Sequence, residues 1–195
     1  MREIVFYKSP FDYQTQIKTS EEKPNIDIFL DTGSPVTLVS IPTLIQMTGE
    51  LFSSFCMSVE KFLNQNQPIT MGAYGMSDDD NRFAFIPYIV NEVVIGDALF
   101  KPFMFWVNVT GYKSKNIKNS STLFGMDYIN QGKKWFDEND DFHIQFEGQL
   151  RCDTREIGAA LKQRGEIQKL DFVDINVRNI SQINEEGDLG NHLGN

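Results

Sequence analysis

The sequence predicts an all-β fold, and three observations carry that prediction: short runs rich in β-branched and aromatic residues, turn clusters between them, and few stretches of helical character. The runs are IVFY at 4–7, IDIFL at 26–30, VTLVS at 36–40, FAFIPYIV at 83–90 and FMFWVNV at 103–109. EEKPN at 21–25, SDDDN at 77–81 and TGYKSKNIKNSS at 110–121 separate them. Many short strands with frequent turns suit a sandwich or barrel. Two stretches depart from the pattern. Residues 42–50 read as a helix that starts on Pro42, where a helix tolerates proline, and residues 58–64 read as a second helix with Ser58 as its N-cap before Val59, Phe62 and Leu63.

The character shifts after Leu150. Thr154 is placed to cap a short helix with Ile157, Ala160 and Leu161 on its apolar side and Gly165 at its end. Val173, Ile175 and Val177 then alternate with polar neighbours, as in a half-buried strand. The chain therefore divides into a main domain over 1–150, a small α/β appendage over 151–184 and a tail over 185–195. That tail, EEGDLGNHLGN, has too little apolar surface to offset ordering entropy and is expected to be disordered.

Composition narrows the function classes. In 195 residues there are 27 Asp and Glu against 18 Lys and Arg, a net charge of −9, with 41% hydrophobic residues and 16 Phe. That apolar content builds a real core, and the length holds one domain plus an appendage but not two large lobes. The acidic balance gives no general field for phosphate backbones or anionic lipid, so neither nucleic acid nor a membrane surface is expected as a partner. No apolar run reaches the roughly 18 residues of a membrane span, and the first residues turn polar after Phe6, so a cytoplasmic location is expected. Cys56 and Cys152 read as free thiols. His143 and His192 read as solvated or packing residues, which leaves no metal site and no cofactor expected. Asp78, Asp79 and Asp80 read as a solvated turn, and Trp106 and Trp135 as packing residues.

The most informative segment is IDIFLDTGSPVTLVS, residues 26–40. An apolar strand runs into Asp31-Thr32-Gly33-Ser34 and a second leaves after Pro35. That sets a carboxylate at a tight turn between buried strands, with a glycine allowing close backbone approach and two hydroxyls at hand. Asp, Gly, Ser and Pro are also ordinary turn residues. The flanks favour the functional reading, since a surface turn has no need of IFL before it and VTLV after it.

Here the chain resembles the aspartic peptidases, specifically the single-lobe, retroviral-type branch called retropepsin-like. Three pieces match in order over roughly residues 10–147. The first is Asp31-Thr32-Gly33-Ser34. The second is Met71-Gly72-Ala73-Tyr74-Gly75-Met76 followed by a turn and FAFIPYIV, similar to the flap hairpin of that family, although Gly72 and Gly75 would equally suit an ordinary loop. The third is Ser121-Thr122-Leu123-Phe124-Gly125-Met126-Asp127-Tyr128-Ile129, similar to the apolar-apolar-Gly segment that leads into a short helix. Ser34 stands where retroviral members usually have Ala, Met126-Asp127 where they tend to have a basic residue, and the 151–195 appendage has no counterpart there. The resemblance implies an acid-protease β-barrel with a short helix after Gly125.

It also implies a mechanism. Hydrolysis by this route needs two carboxylates sharing one proton, and one chain supplies one of them. Cys152-Asp153-Thr154 is the nearest echo, but Arg155 replaces the needed glycine. A two-fold homodimer solves the count by setting Asp31 against its symmetry mate. By resemblance, Asp31 is the catalytic carboxylate, Thr32 bonds across the interface, Gly33 donates its N–H to the carboxylate, and Ser34 supports the outer carboxylate oxygen. Gly72, Tyr74 and Gly75 belong to the flap. A peptide or protein substrate binds as an extended strand. Competing readings are a non-catalytic dimerisation or peptide-binding module of the same fold, and an unrelated all-β binding protein with a coincidental turn.

Overall fold

Alternation of buried and exposed side chains builds the first strands. In the computed structural model, which describes residues 1–19, 22–65, 68–72, 82–114 and 121–151, β1 (Arg2–Lys8) buries Ile4 and Phe6 and exposes Glu3 and Tyr7. β2 (Tyr13–Lys18) turns Thr15 and Ile17 inward, and β3 (Ile26–Leu30) buries Ile28. The chain then passes the 31–37 segment into β4 (Leu38–Ser40), all of it buried. Two helices follow, α1 (Ile41–Thr48) and α2 (Phe52–Gln65), before a hairpin of β5 (Ile69–Gly72) and β6 (Arg82–Val90). Short strands β7 (Val93–Ile95) and β8 (Ala98–Phe100) lead to β9 (Phe103–Asn108), whose six residues are all buried. The described chain ends through β10 (Leu123–Phe124), α3 (Met126–Ile129), β11 (Lys133–Phe136) and β12 (Phe142–Phe146).

The fold is mostly strand with few helices, as the sequence predicts. The strands join in one sheet of order β11-β12-β1-β2-β3-β10-β4-β9-β6-β5, with β7 paired to β2 and β8. β10 is inserted between β3, which it meets in parallel (Leu123 opposite Phe29, Phe124 opposite Leu30), and β4, which it meets antiparallel (Leu123 opposite Leu38). That insertion joins the two strands flanking Asp31-Thr32-Gly33-Ser34 through a segment almost 90 residues downstream. The core beneath is aromatic: Phe6 packs on Phe124, and Phe103 stacks on Tyr128 with ring centroids 4.3 Å apart. Each such fully buried ring contributes about 1.5–3 kcal/mol of transfer free energy.

Both helices are present where the sequence reading puts them, but their ends differ. α1 begins on Ile41, one residue before the expected Pro42, because Ser40 Oγ accepts from Thr43 N as its N-cap, and it ends before the expected Glu50 on Gly49 in the left-handed region at φ 73°, whose N–H donates to Ile45 O. Ser58, expected to cap the second helix, lies inside it: α2 starts six residues earlier, and the Ser58 hydroxyl donates back to Ser54 O at 3.2 Å. Phe55 extends the buried stripe of Val59 and Phe62 toward the N-terminus, so packing places the start. The flanking run VTLVS is strand only from Leu38, because Val36 accepts from the Ser34 hydroxyl and Thr37 is bonded to Asp127. Residues 152–195, with the expected appendage, tail and Cys152, lie outside the described residues, as does His192. Cys56 is a free thiol.

Candidate active site

β3 delivers Asp31 to the surface end of the sheet. Its N–H donates to Phe124 O at 3.0 Å, one step beyond the parallel β3–β10 pairing, so β10 fixes where the strand stops and the turn begins. Asp31 Oδ1 then accepts from Gly33 N at 2.8 Å and Ser34 N at 3.1 Å, an Asx-type turn in which the carboxylate organises its own loop. Ser34 N also donates to Asp31 O at 3.2 Å. The carboxylate is half-buried, while Thr32 and Gly33 are exposed at the tip. Ser34 reaches the carboxylate through its backbone N–H; its buried hydroxyl donates to Val36 O at 2.6 Å and closes the far side of the turn.

A second carboxylate holds the far end of the same segment, at Thr37. Asp127, in the first turn of α3, takes Thr37 N on Oδ2 at 2.9 Å, and Thr37 Oγ1 and Tyr128 N on Oδ1 at 2.7 and 3.0 Å. Thr37 Oγ1 in turn accepts from Gly125 N at 2.9 Å, and Met126 N donates to Ser34 O at 2.9 Å. Burial pushes the Asp127 carboxyl up to about 7, against the pull of the Thr37 and Tyr128 donors, which favour its ionised form. Gly125 has to be glycine here, since a Cβ would meet Val36 O at 2.2 Å. The apolar-apolar-Gly segment thus presses its backbone directly onto the segment that follows Asp31.

The β5–β6 hairpin stands at the end of the sheet, with Ile69 opposite Phe85 and Gly72 opposite Arg82. Gly72 ends β5. Tyr74, Gly75 and the acidic run at 78–80 fall in 73–81, outside the described residues. The hairpin base is tied to the end of β9, where Val109 N donates to Ala84 O and Ala84 N to Thr110 Oγ1, both at 2.8 Å. Its inner strand, β6, is also tied to the helical region: Tyr88 OH donates to Glu50 Oε2, between α1 and α2, at 2.8 Å, and its ring lies 5.8 Å from Phe55 in α2. Burial and the Glu50 charge both raise the Tyr88 hydroxyl above its ordinary value.

A retropepsin-like aspartic protease from Rickettsia conorii is among the solved structures similar to this chain, at 17% identity and a TM-score of 0.43, covering 74% of this chain and 91% of that one. No protein-family model and no curated protein matches. The chemistry of the site is therefore read from the geometry of this chain alone.

The structure joins Asp31, Gly33 and Ser34 by hydrogen bonds and places Thr32 at their exposed tip; Gly72 lies on a separate hairpin. Sequence reasoning missed Thr37 and missed the role of Asp127, which read only as a departure from the family pattern. An acid in the first turn of a helix was visible, but its partner Thr37 is 90 positions away. Among the described residues no group of three or more His, Cys, Asp or Glu is placed to hold a metal ion, and no helix is long and apolar enough to cross a membrane.

Proposed function

We propose that the protein is an aspartic endopeptidase that works as a homodimer, with Asp31 of each copy forming one dyad on the two-fold axis. The Asp31 turn is the observation that carries this reading. A half-buried carboxylate has one oxygen fixed by two backbone amides, sits where β3 ends against β10, and is flanked by exposed Thr32 and Gly33 that leave room for a like turn to approach.

In the proposed reaction one carboxylate takes a proton from a water molecule as the water oxygen attacks the scissile carbonyl carbon. The protonated partner carboxyl donates to the carbonyl oxygen. Collapse of the tetrahedral species breaks the C–N bond, and the proton returned to nitrogen lets the amine leave. Thr32 would bond to the partner's turn and keep the carboxylates near one plane. The β5–β6 hairpin, with Gly72, Tyr74 and Gly75, would close over an extended peptide and exclude bulk water.

Purified protein incubated with unfolded polypeptides from acid to neutral pH, beside Asp31→Ala, tests the proposal. Cleavage by the native chain and none by the variant is the expected result, with sizing that reports a dimer at micromolar concentration. Equal cleavage by both proteins, or a strictly monomeric native chain, would overturn it.

A further inference from the structure

β11 lies at one end of the sheet, with β12 on one side and no strand on the other among the described residues. Such an edge presents unpaired backbone N–H and C=O groups to any extended segment. Three features of this edge select its occupant. The first is where the described chain ends. Arg151 N donates to Gln131 Oε1 at 2.7 Å and Gln131 Nε2 donates to Arg151 O at 2.9 Å, so the backbone at residue 151 is held two positions ahead of β11. Gln131 Nε2 also donates to Asp127 O at 2.8 Å, which connects that exit point to the α3 junction.

Charge is the second feature. Lys133 and Lys134 are both exposed. Lys133 lies over the Trp135 ring and Lys134 donates to Ile129 O, and neither has a carboxylate partner among the described residues. The third is apolar surface: Phe136 is 56% exposed at the end of β11, backed by Tyr13 and Phe142. Lysines on a short edge discourage pairing with a like edge. They complement a strand that carries carboxylates.

The sequence beyond Arg151 contains a segment with that pattern of residues. LDFVDINV at 170–177 alternates Val173, Ile175 and Val177 with polar neighbours and carries Asp171 and Asp174. A connection of roughly 20 residues spans far more than the roughly 13 Å length of a four-residue strand. We propose that residues 170–177 add as a strand to the free edge of β11 in the same chain. The segment sets its acids against Lys133 and Lys134 and lays apolar side chains toward Phe136. The appendage is then a cover for the sheet edge rather than a separate module.

Zero-length carbodiimide coupling of the full native chain at low micromolar concentration, with the products mapped by peptide mass spectrometry, tests this directly. The Lys8–Asp140 and Lys18–Asp97 pairs, at 2.6 and 2.7 Å, are internal positive controls. The expected product joins Lys133 or Lys134 to Asp171 or Asp174, and a mixture of isotopically light and heavy protein gives that product within single chains. Hydrogen exchange at the β11 amides supplies the second readout. Adjacent residues of an added strand turn their N–H alternately toward and away from the edge, so one of Asp174→Pro and Ile175→Pro should speed β11 exchange about tenfold or more while β9 stays protected. Coupling of the controls without any 133/134–171/174 product would overturn the proposal. So would products that join only separate chains, which would assign the edge to a second copy, or β11 exchange that neither proline changes.

Discussion

Two carboxylates bracket the short run from Asp31 to Thr37, and they are held in opposite ways. Asp31 takes its donors from its own loop, Gly33 N and Ser34 N on one oxygen, and sits beside exposed residues. Asp127 takes donors on both oxygens, two of them from Thr37 on the other side of the junction, and burial drives its carboxyl up to about 7. Local donors leave a carboxylate shaped but accessible. Long-range donors commit it to joining two parts of the chain. The difference separates a residue available for chemistry from one tied into the fold, although both are aspartates at the ends of the same short run.

The largest expected effect tests the accessible member. Asp31→Asn keeps an oxygen to accept from Gly33 N and Ser34 N, so the turn should persist and thermal stability should move by less than about 0.5 kcal/mol. The proposed peptide cleavage should fall by about 10²–10⁴-fold or more, the range that general acid–base groups supply. A variant that loses both activity and stability would erase the contrast between the two carboxylates. Circular dichroism melts beside turnover assays separate those outcomes.

Gly125→Ala should produce the largest stability loss. The added Cβ would meet Val36 O, Val36 C and Thr37 N at 2.2, 2.3 and 2.9 Å, all backbone atoms that no side-chain rotation can clear. A cost of about 3 kcal/mol or more is expected, read as a lowered denaturant midpoint with unchanged slope. A small loss would mean that the β10 segment is less firmly seated against the Asp31 loop than the geometry describes.

These two sites also mark what the sequence made legible. Runs such as IDIFL and FMFWVNV announced their strands because they are apolar and bounded by turn residues, and Asp31-Thr32-Gly33-Ser34 stood out because apolar runs flank it. β2, YQTQIK, was not legible: it owes its place to pairing with β1, β3 and β7, while burying only Thr15 and Ile17. β11, KKWF, is likewise a strand by partnership with β12 rather than by pattern. Thr37 and Asp127 were illegible as a pair for the same reason, since nothing local in either segment specifies a contact across 90 positions.

pH dependence sharpens the contrast. Asp127 keeps its proton up to about 7 in the folded chain, against an ordinary value of 3.8. Between those values the folded chain binds more protons than the unfolded one, so stability is highest below about 4, falls as pH rises toward 7, and is flat beyond. His143 acts with the same sign: burial lowers it, but the Glu3 carboxylate on Nδ1 at 2.7 Å and Asp137 near Nε2 at 3.4 Å outweigh that and hold it above 6.5. Its contribution is present below 6.5 and is lost as pH rises through the raised value. Asp137 is raised by desolvation but lowered by more in sum by the Asp141 and Asn139 amides and His143, so it opposes both by losing stability as pH falls below 3.8. Asp127→Asn should flatten the decline between pH 4 and 7 in denaturant titrations and leave the His143 step above it. An unchanged profile would mean that the Thr37 and Tyr128 donors dominate the carboxyl.

The smallest effects come from the two threonines of the same run. Thr37 is fully buried, and its hydroxyl both donates to Asp127 and accepts from Gly125 N. Thr37→Val keeps the shape of the side chain and strands the buried Gly125 N–H, which should cost about 1–3 kcal/mol. Thr32 is exposed with no side-chain partner among the described residues, so Thr32→Val should change the stability of the single chain by no more than about 0.5 kcal/mol. Its effect belongs to association: if Thr32 bonds to the partner's turn, Thr32→Val should raise the dimer dissociation constant by about tenfold, measured by sedimentation at a series of concentrations. The two variants remove the same hydroxyl five residues apart. A stability loss at 37 and an association loss at 32 would establish that the fold junction and the proposed dyad are separable. A stability loss at both, with association unchanged, would make the exposed turn one more part of the single-chain fold and remove the reason for bringing a second Asp31 to it.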